Sequence, residues 1–440
     1  MKYKPELHKL SNGTAVIFDP MDLETASVRV VFFTGSRDEK PSEYGITHFC
    51  EHMFFNASKR FCSSKARREY LEDNGCSLNG FTSDARLQFV GDCVARNLNI
   101  LIDCMGEQLQ NPLFDKTQIE HERGIILDEL RRAQDKDKNS DNEFIYNNLF
   151  NCDYDHTLGT EENIKSFTRK QMLFFIRRRM SSSNCVIIVS GKIKNKEKTL
   201  AQLEKSFGFL KPFDVPENKK MKYLPKCVHK SRSKNSEVII RILVPTLWPN
   251  DKEYEFQRIC VNKFKSILGT KIFNKLRSES GLVYGTSLTN CGNETVSLTG
   301  IRTATAPEHV AECVAQMARV CADVYYNNAF TQQDVDRLDA RASLGDAKNF
   351  DSLSFRASNL EREYRAYQEL YDMPGIIKVA IAITREQIIK NTRGFFDGKM
   401  SIVTSGPKFD GDLMKIWRDN FKPNDNPPVL DIVKQNKKTR

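Results

Sequence analysis

A chain of 440 residues can bury two or three cores of its own, so neither disulfides nor a structural metal is required for folding. Its 40% hydrophobic and 28% charged residues are an ordinary globular mix, and no apolar run nears the roughly 18 residues of a membrane span. The net charge of +10 spreads 67 basic residues among 57 acidic ones with no module that reads bases or phosphates, which argues against a nucleic-acid partner.

The most basic segments, around Lys219-Lys220-Met221-Lys222 and 434–440, read as solvated linker and tail. Twelve cysteines are scattered without a C-x-x-C pair, and the first ten residues lack the apolar core of a secretory signal. Reduced thiols, a cytoplasmic location and no membrane association are the expectation.

Taken in order, 15–18 and 27–33 pattern as strands, the second ending at Thr34-Gly35. Helices follow at about 45–56 and 63–73, the latter stopped by Asn74-Gly75. A strand at 87–90 leads to an amphipathic helix at 98–109 and a longer one at 116–133, with Asp115 as its cap. Thr168 caps a helix to Met180, and 185–189 is a short strand of the fully buried type. Prolines and lysines between 209 and 232 then mark a linker.

Beyond it the pattern returns. Residues 237–244 resemble 27–33 about 210 residues on, and a helix at 254–267 follows. The helix at 307–325 and Asn327-Asn-Ala-Phe-Thr331 mirror 98–109 and Asn111-Pro-Leu-Phe-Asp115. The division expected is therefore 1–208, a linker at 209–232, and a homologous domain at 233–440. The fold class is α+β, each domain a mostly antiparallel sheet packed with helices on one face.

The strongest chemical signal is His48-Phe49-Cys50-Glu51-His52. Residues three and four apart share one face of a helix, so His48, Glu51 and His52 point the same way. Two imidazoles one turn apart suit zinc, which in catalytic sites commonly adds one carboxylate and leaves a position open. Glu51 sits where a base for an attacking water is needed. A carboxylate should come from another helix, and Glu122 and Glu129, two turns apart beside Ile125 and Ile126, share a face. On spacing alone that face could equally be solvated.

His48-x-x-Glu51-His52, followed by Glu129 after 76 residues, resembles the pitrilysin/insulinase family of inverted-motif zinc metallopeptidases. Residues 45–61, 74–82, 158–164 and 276–284 are similar to family segments as well. The resemblance implies a zinc endopeptidase cutting short or unfolded peptides. One zinc per chain would be held by His48, His52 and Glu129, with Glu51 as general base and Glu122 as acceptor for a ligand histidine. It implies that Asn79, Gly80, Phe81 and Thr82 form an edge strand to which substrate adds, and that Arg277 and Tyr284 reach the substrate carbonyl. Arg258, Val261 and Asn262, and Leu338 and Gly345, stand opposite the motif residues in the repeat, so the second domain should be metal-free. The chain would form half of a clamshell, completed as a homodimer or with a homologous subunit. Leu268-Gly269-Thr270 lacks the glycine run of the family's non-catalytic partners. Alternative roles are a targeting- or leader-peptide processing subunit of a hetero-oligomer, and a non-catalytic peptide-binding scaffold.

Overall fold

The computed structural model describes residues 3–137, 141–151, 156–216, 221–245, 254–292, 296–370, 372–396 and 399–423. Lys219, Lys220, Cys152 and the basic tail at 434–440 lie outside these. Among the described residues no helix is long and apolar enough to cross a membrane.

Strands β1 (Glu6–Lys9), β2 (Ala15–Pro20) and β3 (Thr25–Phe32) come first. Helices α1 (Ile46–Phe54) and α2 (Ser64–Asp73) lead to the hairpin β4 (Cys76–Thr82) and β5 (Leu87–Val94). Then come α3 (Leu98–Gln110), α4 (Lys116–Asp137), α5 (Asn142–Leu149), α6 (Glu161–Ser166) and α7 (Arg169–Arg179). β6 (Cys185–Gly191) and α8 (Lys196–Phe207) precede β7 (Cys227–Ser231), β8 (Val238–Pro245) and α9 (Glu255–Phe273). β9 (Thr286–Gly292), β10 (Ser297–Thr305), α10 (Val310–Tyr326) and α11 (Gln332–Phe350) follow. The last elements are α12 (Leu353–Tyr367), α13 (Met373–Ile381), α14 (Arg385–Asn391), β11 (Ser401–Gly406) and α15 (Leu413–Asn420).

The chain forms two compact units. The first comprises 1–140, 154–219 and 346–374, and the second 141–153, 220–345 and 375–440. Where the sequence suggests a single junction at 209–232, the units also exchange two helical segments. The reason is visible in the sheets. In the first unit the strand order is β1-β2-β6-β3-β5-β4, all neighbours antiparallel except β2 and β6. Val28, Val30 and Phe32 of β3 face a core built on Phe49, Met53, Leu101, Met105 and Phe175, while Val31 faces the other way. Both faces are apolar, so helices on one face, as expected from sequence, do not suffice. Helix α12 covers the second face, packing Ala357, Leu360 and Tyr364 on Ile17, Val31 and Ile188. Arg356 seals it: its Nε donates to Asp19 Oδ2 at 2.8 Å and its Nη2 to Oδ1, both side chains being fully enclosed.

In the second unit the order is β7-β11-β8-β10-β9, with β7 and β11 parallel. This repeats β2-β6-β3-β5-β4 strand for strand. Its second face is covered by α5, through Ile145 and Leu149 against Leu243, Leu298 and Val403. A finer repeat lies in the loops. Arg169 donates to the Leu113 and Phe114 carbonyls, and Arg385 to those of Asn328 and Phe330. Each arginine follows a threonine that caps its helix in a box closed by Gln171 or Gln387. The pentapeptides Thr-Arg-Lys-Gln-Met and Thr-Arg-Glu-Gln-Ile stand at the spacing that separates Phe114 from Phe330, so this part of the repeat is written in the sequence as well.

Asp141 ties α5 into the second unit. Buried, it meets Arg232 at 3.0 Å and Arg241 at 2.8 Å and accepts from Ser405 Oγ at 2.6 Å. Burial pushes its carboxyl up, but Ser405, Arg241 and Arg232 together hold it below the ordinary aspartate value. A depressed folded value means that the stabilisation is complete above the unfolded pKa of about 3.9 and is lost as pH falls through the folded value. Asp141→Asn should therefore cost about 3 kcal/mol at neutral pH. In urea titrations the gap from the natural protein should narrow on acidification below about pH 4; a gap independent of pH would show that the charge of Asp141 is not what matters.

Candidate metal and catalytic site

Helix α1 lies on the apolar face of the first sheet, with Phe54 edge-on to Phe89 of β5 and to Phe114 at ring distances of 5.5 and 5.6 Å. Burying Phe49, Met53 and Phe54 on that side leaves His48, Glu51 and His52 along one stripe of the helix. Helix α4 runs beside it. Arg123 fixes α4 by donating to the carbonyls of Ile164 and Phe167, and its guanidinium lies 5.5 Å from the centre of the Phe49 ring.

The two helices bring His48, His52 and Glu129 together, with one ligand atom from each within 4.8 Å of the others. Glu129 Oε2 stands 3.7 Å from His48 Nε2 and 3.6 Å from His52 Nε2. Zinc bonds of about 2.1 Å at tetrahedral angles place neighbouring donor atoms about 3.4 Å apart, so two neutral imidazoles and a carboxylate at these separations fit the ion. Among the described residues no other group of three potential ligands is so placed.

Glu122 supplies the support. Its Oε2 lies 2.9 Å from His52 Nδ1, and its Oε1 accepts from Asn56 Nδ2 at 3.0 Å. An acceptor at Nδ1 leaves Nε2 as the ligating nitrogen. Burial raises the Glu122 carboxyl, but the bonds from His52 and Asn56 hold it below the usual range. Asn56 also donates to the His52 carbonyl at 3.1 Å. It sits one turn beyond His52, so the helical spacing that singles out the motif could have identified it too. His48 is pushed down to about 3, by burial and then by His52, so its ring is neutral as a metal ligand must be.

Glu51 is buried beside the cluster. Burial raises its carboxyl, and Glu129 adds to the rise, against Thr82 and His52. Thr82 Oγ1 donates to Glu51 Oε2 at 2.5 Å. Among the described residues strand β4 pairs with β5 alone and is the sheet's edge. On it Asn79 and Phe81 point to solvent, while Gly80 is pressed inward. A Cβ on Gly80 would stand 2.5 Å from Phe55 and 2.8 Å from Glu51 Oε1, so only glycine lets the strand lie this close. The Asn79 side chain accepts from the Gly80 amide at 2.9 Å.

Arg277 and Tyr284 belong to the second unit, where the Arg277 guanidinium lies 5.0 Å from the centre of the Tyr284 ring and the tyrosine is 84% exposed. Arg277 sits in a wide helical turn, Asn274–Glu279, that continues α9. In that unit α9 and α11, counterparts of α1 and α4, are joined by Lys263 to Asp339 and by Lys271 to Asp334 at 3.1 Å.

Residues 18–159 match the model for Insulinase (Peptidase family M16), and 166–341 that for the Peptidase M16 inactive domain. An uncharacterized zinc protease of Rickettsia bellii is 22% identical over 92% of this chain and 98% of its own. The mitochondrial-processing peptidase subunit beta of Dictyostelium discoideum is 31% identical over 50% of this chain and 48% of its own. In fold, the first half of the periplasmic protease PqqL from Escherichia coli matches with a TM-score of 0.82 at 17% identity, over 97% of this chain and 98% of that one.

The Gly80 contact is open to test. Gly80→Ala should leave metal content intact while displacing Glu51, and peptide turnover should fall by about 10²-fold. Turnover equal to that of the natural protein would mean that Glu51 does not depend on the strand.

Proposed function

The chain belongs to the insulinase (M16) family of zinc proteases, and on that footing we propose that it is itself an endopeptidase acting on short or unfolded peptides. The observation that carries this reading is the Glu129 carboxylate poised 3.6 and 3.7 Å from two histidine nitrogens, with buried Glu51 alongside. His48, His52 and Glu129 would hold zinc, which when bound polarises a carbonyl and acidifies water. Glu51 takes the proton from the attacking water and later returns it to the leaving amine; its raised affinity for protons suits both transfers. The open edge of β4 receives the peptide backbone as an added strand, a mode of binding that selects extended chains over folded ones. Arg277 and Tyr284 act on the substrate carbonyl as charge develops there.

The match to a processing peptidase beta subunit favours a second reading, in which this chain is the catalytic member of a hetero-oligomer that trims leader peptides. In either reading a second chain, identical or homologous, walls off the site; light scattering of the pure protein distinguishes the two by reporting twice the chain mass only for the homodimer. A purely scaffolding role is disfavoured by the intact Glu51.

Purified protein should carry one zinc per chain. Glu51→Gln should retain it and lose activity on a fluorogenic peptide by about 10²- to 10⁴-fold, since the base goes while the ligands stay. His52→Ala and Glu129→Ala should lose the metal as well; a zinc-replete, active Glu129→Ala would remove Glu129 from the ligand set. Arg277→Ala and Tyr284→Phe should lower turnover by about 10²-fold at unchanged metal content. Unaltered kinetics in both would confine them to a local stacking role.

A further inference from the structure

The helix that bears the metal ligands is not capped by its nearest neighbours. Gly45, just before α1, adopts a left-handed conformation with φ of 93° and offers no side chain to the free amides. Glu39, six residues upstream, does so instead. Its buried carboxylate accepts from the Gly45 amide at 2.7 Å through Oε2 and from the Thr47 amide at 2.8 Å through Oε1. Thr47 immediately precedes His48. A carboxylate gripping two amides of the first turn fixes both the position and the rotation of the helix, and it sits in the favourable field of the helix N-terminus.

The same loop also holds the hairpin that ends β4. The Ser36 amide donates to the Ser83 carbonyl at 3.1 Å and the Arg37 amide to that of Asp84 at 3.0 Å. Gly35 lies so close that a Cβ there would fall on the Ser83 carbonyl oxygen. The loop is braced from within, by Asp38 Oδ2 accepting from the Gly35 amide at 2.8 Å, and from α7, by Arg179 donating to the Asp38 carbonyl at 2.8 Å. One short segment, 35–39, thus touches the metal helix at one end and the turn after the edge strand at the other.

We propose that Glu39 is a positioning residue for the metal centre: it sets the rotation of α1 at which His48 and His52 meet Glu129, while the backbone of 35–37 separately sets β4. This rests on the zinc-peptidase reading above. Three variants of the full chain test it. Glu39→Gln keeps size but offers one acceptor and turns an amide donor toward an N–H. Gly35→Ala strikes the hairpin contact directly and leaves the Glu39 side chain unchanged. Ile188→Val thins the opposite face of the sheet, against α12, and controls for lost stability alone. Zinc affinity is measured by competition with a chromophoric chelator, alongside unfolding transitions, kcat and KM.

Glu39→Gln should bind zinc about tenfold more weakly and lose kcat with KM unchanged. Gly35→Ala should raise KM at unchanged zinc affinity, and Ile188→Val should lower stability without altering either. If Glu39→Gln fails to accumulate, Glu39→Asp, with the charge kept one methylene short, is read in the same way. Zinc affinity and kcat equal to the natural protein in the Glu39 variants would overturn the proposal, as would an equal loss of affinity in Ile188→Val. A natural protein that binds no zinc would instead overturn the zinc reading, and this inference with it.

Discussion

Each sheet has two apolar faces, and covering the second one is the constraint on which the rest of the molecule depends. In β3 only Thr25 is exposed; Ala26, Val28, Val30 and Phe32 face one core and Val31 the other, while Ser27 is buried and Arg29 bonds to Ser354 and Ser358 of α12. A strand buried on both sides needs helices on both sides. The chain meets this need by exchange, sending α12 to the first sheet and α5 to the second. Apolar contact alone would allow such helices to slide or to be swapped. Each instead carries or adjoins a buried charge with a dedicated partner, Arg356 for Asp19 and Asp141 for Arg232 and Arg241. Pairs of this kind add little net stability but penalise every arrangement that leaves one member alone.

With its sheet held firmly, the first unit can afford a site of conflicting charges. Glu51, Glu122 and Glu129 converge on two imidazoles, one of which burial keeps neutral. Carboxylates gathered this closely repel one another, and a divalent cation is the economical remedy. The site is built on rigid elements throughout: two helices pinned to a sheet, and an edge strand whose glycine lies against the base.

The second unit serves as an internal control. It repeats the strand order and the arginine-capped loops, among its described residues no group of three candidate ligands recurs, and ion pairs from Lys263 and Lys271 join the corresponding helices. In the first unit the His48, His52 and Glu129 group is an addition to a strand order that both units share.

The sequence by itself determined whatever depends on short-range periodicity. The spacing in His48-x-x-Glu51-His52 places three side chains on one helical stripe, and two turns separate Glu122 from Glu129, in any fold that keeps those helices. The internal repeat followed from patterns along the chain. Tertiary structure alone decided which segments are neighbours. Thr82 reaches Glu51 because β4 registers on β5 beneath α1, Glu39 caps a helix six residues away because the loop folds back, and α12 closes a sheet formed hundreds of residues earlier. None of these has a period. Each is a contact chosen by the burial of a whole face, and that choice is made only when the chain is assembled.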